Sequence, residues 1–188
     1  MKVRTYGSID LTEDIKKSRE NKINDVMPEL IKKYSINDEK TQEYAEEAIS
    51  RQLGYILWAL SCELENKKIL DLGCGANREK WEKNRRYEPW LCRALLIMGA
   101  KPIGIDIGNL DKEKFEHYNI DLDTIDIEKL GDKYKHSVDL ANARSLFSSP
   151  IRTSKKMHLS YDVLKESLVF RIEKIIKKEG FFIYLKDW

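Results

Sequence analysis

From Lys68 onward the sequence consists of short apolar runs, each closed by glycine or aspartate and separated from the next by a helix-like stretch. This alternation constrains the fold more than any other feature, because strands joined through helices pair in parallel and need cover on both faces. The runs are Lys68–Leu72 (KILDL) and residues 102–107 (PIGIDI), 117–122 (HYNIDL), 137–143 (SVDLANA) and 181–185 (FFIYL). Residues 88–98 read as a helix, with Pro89 suited to its first turn and Gly99 to a left-handed cap. A second helix over residues 159–178 is expected to end at Gly180. Residues 10–67 carry helical periodicity instead. One segment, residues 11–34, contains Pro28, which is expected to bend or split it; the next starts from an N-cap at Asn37 or Asp38 and runs to about Glu65. The expected architecture is an N-terminal helical segment, residues 1–66, ahead of an α/β domain, residues 67–188, with about five mainly parallel strands.

The 188 residues suffice for one domain with an appendage. Against 34 Lys and Arg stand 32 Asp and Glu, a net charge of +2, so no strong field draws the chain to nucleic acid or an anionic membrane. No apolar run is long enough to cross a bilayer, residues 1–10 lack the apolar stretch of a signal peptide, and a cytoplasmic location is expected. Cys62, Cys74 and Cys92 have no Cys-x-x-Cys spacing, and with the scattered His117, His136 and His158 they form no metal-site pattern.

Ligands of open parallel sheets bind beyond the carboxyl ends of the strands, so the polar residues there are the candidate site. The first strand runs into Asp71-Leu72-Gly73-Cys74-Gly75-Ala76-Asn77, where alternate glycines permit a sharp turn and a close ligand approach. The second ends at Asp106 and Ile107, a carboxylate suited to both hydroxyls of a ribose. The third ends at Asp121 and Leu122, a carboxylate for an amino group and an apolar side chain for a ring. A dinucleotide fingerprint is broken by Arg78, and no Gly-Lys-Ser or Gly-Lys-Thr triplet of a P-loop occurs. Asp71 at the head of the turn would repel a phosphate, so the site suits a cationic nucleoside better.

On these residues the stretch from about Lys67 to Trp188 resembles class I S-adenosylmethionine-dependent methyltransferases, whose fold is a Rossmann-like sheet. Asp71 to Asn77 is similar to their first motif, which holds the methionyl part of the cofactor. Asp106 resembles their ribose-binding acid, Asp121 and Leu122 their adenine contacts, and Asp139 with Asn142 their fourth motif beside the transferred methyl. The resemblance implies S-adenosyl-L-methionine as cofactor, no metal, and an acceptor left open, with a small molecule or protein favoured over nucleic acid. Asn142 and Arg144 are the candidates for orienting that acceptor; Tyr55, Tyr87 and Trp81 are the candidates for closing the pocket. Asp139 is equally open to a purely structural role. The chain departs from the family in three places. The helix after the glycine turn starts late, at Pro89; the fourth motif reads Asn142-Ala143-Arg144-Ser145, without an Asn-Pro-Pro-Tyr or Asp-Pro-Pro-Tyr tetrad; and the C-terminal hairpin is missing after the fifth strand. The resulting open edge calls for another element, a partner subunit or a second copy. The rival expectation is a binding or scaffold subunit of the same fold that transfers no methyl group.

Overall fold

The computed structural model describes residues 1–76, 85–122, 128–144 and 161–184. Its elements are β1 (Lys2–Thr5), α1 (Glu13–Lys33), α2 (Glu39–Ala59), β2 (Lys68–Leu72), α3 (Trp90–Ile97), β3 (Lys101–Asp106), β4 (Glu116–Asn119), α4 (Glu128–Tyr134), β5 (Val138–Ala143), α5 (Tyr161–Glu173) and β6 (Ile176–Tyr184). The six strands form one all-parallel sheet in the order β1-β6-β5-β2-β3-β4. The arrangement is compatible with a Rossmann-like fold.

Side chains alternate across the central strands because successive residues of a strand point to opposite faces. Ile69 of β2, Leu140 of β5 and Ile183 of β6 join Leu30 of α1, Leu53 and Ile56 of α2, and Leu91 and Leu95 of α3 in one core. Leu70, Leu72, Ala141 and Phe182 point the other way, onto Leu130 of α4 and Leu168 and Ile172 of α5. Each such fully buried aliphatic side chain contributes about 1.5–3 kcal/mol relative to exposure. The sheet is therefore a filling between two helical layers. The chain leaves β2 toward α3 on one face and leaves β5 toward α5 on the other. The carboxyl ends of β2 and β5 thus flank the point where strand order reverses.

Several expectations change. β1, which lies in the segment expected to be only helical, pairs with β6 over Lys2↔Phe181 to Thr5↔Tyr184. It occupies the edge expected to be open, and it runs parallel where the family's hairpin would add an antiparallel strand. α1 continues through Pro28 as one helix. α2 starts as expected from Asp38, whose carboxylate accepts the Thr41 N–H at 2.8 Å, but it ends at Ala59, short of Glu65. Ser61 and Cys62 have positive φ there, which turns the chain out of the helix. α5 stops at Glu173, and Gly180 lies inside β6 instead of closing the helix. A Cβ on Gly180 would sit 2.7 Å from the Asp139 carbonyl and 2.4 Å from Ile176, so only glycine fits where the register between β5 and β6 shifts.

Candidate functional site

The turn after β2 is held by its neighbours. Gly73 and Gly75 have φ of 72° and 92°, conformations that cost a side-chain-bearing residue, and the N–H groups of Gly73 and Cys74 both donate to the Ile105 carbonyl of β3. Asp106, at the end of β3, accepts the Gly75 N–H at 3.1 Å and the Gly108 N–H at 2.9 Å. Its own carbonyl accepts from Ile120, just before Asp121. The structure thus brings Gly73, Cys74, Gly75 and Asp106 into one hydrogen-bonded unit. The exposed side chain of Ile107 follows next in sequence. β4 stops at Asn119, short of the expected strand end, so Asp121 lies exposed two residues beyond it, while Leu122 is buried in the core beneath α4 and α5.

The close approach to Gly75 is made by the chain itself. A Cβ there would lie 2.2 Å from the Tyr87 carbonyl, which also accepts the Ala76 N–H. The segment carrying Tyr87 is fixed by a buried charge network. Arg93, 3% exposed, holds Glu113 through two N–H donors at 2.6 and 3.1 Å and also reaches Glu88. Glu88 takes two more N–H bonds from Arg85, and these cations hold its carboxyl below the usual range against the opposing effect of burial. The Arg93 guanidinium lies over the rings of Tyr34 and Trp90, at 4.4 and 4.6 Å. Sequence reading missed this network. Its one signal was a single charged residue within the otherwise apolar Trp90–Ile97.

Asp71 and Asn142 face each other across β2 and β5 and lie under α2. Asn142 is fully buried and all its hydrogen-bonding groups are engaged. Its amide nitrogen donates to Asp71 and to Gln52 of α2, each at 2.8 Å, and its carbonyl accepts the Tyr6 hydroxyl. Burial raises the Asp71 carboxyl to about 6, although Asn142 and the Cys92 thiol donate to it and favour its charged form; Asp106 adds a further upward push. Burial and then Asp71 push the Tyr6 hydroxyl well up. Cys74 and Cys92 are buried thiols, raised chiefly by desolvation. Cys62 is half-buried and free.

Arg144, the first residue after β5, is half-buried within the electrostatic range of Arg51, Tyr6, Glu47 and Tyr55. Tyr55 packs edge-to-face on Tyr6 with ring centres 4.5 Å apart. Trp81 lies outside the described residues. Asp139 sits at the opposite, amino end of the sheet, where it accepts the Lys68 N–H at 2.9 Å and pairs with Lys177 at 2.6 Å. That is a register clamp between strands and it is remote from the turn. Among the described residues no group of His, Cys, Asp or Glu has the arrangement of a metal site, and no helix is long and apolar enough to cross a membrane.

No protein-family model matches this chain, and no curated protein matches it in sequence.

Proposed function

We propose that the chain is an S-adenosylmethionine-dependent methyltransferase acting on an acceptor other than a long nucleic acid. The supporting observation is the coupling of the positive-φ Gly73–Gly75 turn to the Asp106 carboxylate at the reversal point of a parallel sheet. The donor set fits a nucleoside with a cationic centre. Asp106 would hold the ribose, Ile107 and Asp121 would border the base, and Gly73 to Gly75 would carry the amino-acid part, with Tyr87 beside it. Asp71 would supply negative charge behind the turn, shielded by Asn142. When bound, the cofactor supplies an electrophilic methyl on a sulfonium whose leaving thioether is neutral, so no general acid is needed from the protein. The chain's own residues bind and orient, and positioning supplies most of the acceleration.

A second reading, a cofactor-binding or scaffold subunit that transfers nothing, is favoured by one observation. Asn142, at the place of the family's fourth motif, spends every hydrogen-bonding group on Tyr6, Gln52 and Asp71. Calorimetric titration separates the readings. S-adenosylmethionine or its demethylated product should bind at sub-millimolar concentration while NAD does not, and Asp106→Ala should weaken that binding by about 1.5–3 kcal/mol. If neither methionine nucleoside binds, the enzyme reading fails and only a scaffold that keeps the fold is left. If binding is tight but no labelled methyl is transferred to any of a panel of acceptors, the scaffold reading replaces the enzyme.

A further inference from the structure

The charge around Arg144 is unbalanced in a way that the cofactor site does not use. Arg144 stands where the chain leaves β5, and among the described residues it makes no hydrogen bond or ion pair. Among the described residues its charged neighbours are Arg51 and Glu47, and Glu47 is already paired with Arg51. Among these described residues two guanidiniums share one carboxylate. A half-buried guanidinium cannot relieve this by losing its proton, because arginine stays charged throughout the working pH range. Burial and the like charge of Arg51 both disfavour its charged form. The surroundings are otherwise ordered for recognition. Gln52 bonds Asn142 and so fixes α2 against β5, and Arg51 and Tyr55 are four residues apart on one face of that helix. The Tyr55 hydroxyl makes no hydrogen bond among the described residues, while its ring is held by Tyr6.

We infer that Arg144 and Arg51, with the Tyr55 hydroxyl, form an oxyanion site at the carboxyl end of β5, and that the methyl acceptor is a molecule carrying a carboxylate or phosphate. The site itself stands on the charge arrangement; its assignment to the acceptor rests on the methyltransferase reading. Forked N–H donors match the paired oxygens of either anion, and such charge-assisted bonds are about twice as strong as neutral ones.

Inorganic phosphate and acetate serve as the probes, titrated at fixed ionic strength against chloride, with thermal stability as the readout. Phosphate, acetate or both should stabilise the wild-type protein saturably. Arg144→Gln, and the more exposed Arg51→Gln as a second variant certain to spare the core, should each weaken that response by about tenfold to a hundredfold. Lys174→Gln, on the far face, should leave it unchanged. A wild-type response that does not saturate, or one that is equal in the wild type and both arginine variants, overturns the site. Which of the two probes binds tighter identifies the acceptor's anion. S-adenosylmethionine should bind equally well with the probe present, and competition between them would overturn the assignment to the acceptor. If the arginine-dependent response persists and S-adenosylmethionine fails to bind, the oxyanion site stands and the methyltransferase reading falls.

Discussion

Replacing Asp71 by asparagine tests the electrostatics at the centre of the molecule. The side chain is 3% exposed, and burial lifts its carboxyl from 3.8 to about 6. At about 1.4 kcal/mol per pH unit, that gap makes the ionised carboxylate cost the folded state about 3 kcal/mol. The folded chain binds the proton more tightly than the unfolded one. The stability linked to this group is therefore fully present below pH 3.8 and is lost as pH rises toward 6. Asp71→Asn keeps the shape and an oxygen for Asn142, and it removes the charge. Above pH 7 the variant should be more stable than the wild type by up to about 3 kcal/mol, and the advantage should shrink to nothing near pH 4. Urea unfolding followed by fluorescence of the buried Trp90, repeated from pH 4 to 8, measures the difference. Other carboxylates, such as Glu88 and Glu116, whose acidity is enhanced in the fold and whose stabilisation fades in acid, cancel in the comparison. Wild-type and variant curves that stay parallel across this range would refute the reasoning.

Two further substitutions address the supports of the turn. Gly75→Ala places a Cβ against the Tyr87 carbonyl at a φ of 92°, and thermal unfolding should register a loss of at least about 2 kcal/mol. Glu113→Gln removes one of the acidic partners of the buried Arg93, with Glu88 kept, and should cost about 3 kcal/mol in denaturant titration, toward the low end for breaking a buried ion pair.

The central strands were legible in the sequence because their position in the sheet makes them apolar. β2, β3 and β5 lie between neighbours and under helices on both faces, so they appear as uninterrupted runs ended by Gly or Asp. β1 escaped because it is an edge strand, Lys2-Val3-Arg4-Thr5, half exposed, and its extended form is set by pairing with β6 and not by its own composition. The start of β6 escaped for the same reason, since Lys177, Lys178 and Glu179 point to solvent. At the site, glycines and strand-end acids were visible because turn geometry demands particular residue types. The partners that complete their environment were not. Tyr6, Gln52 and Arg93 reach Asn142 and Glu113 from distant parts of the chain, and no local pattern announces such a meeting.

β1 also dictates a timetable. Among the described strands it is the first in chain order and the strand it pairs with is the last, so it waits unpaired while the strands between them are synthesised. During that interval Lys2 and Arg4 guard a bare backbone against joining the wrong neighbour, as charges do on exposed edges generally. Chain order and assembly order therefore diverge: of the described strands, the one made earliest cannot be secured until the latest has emerged.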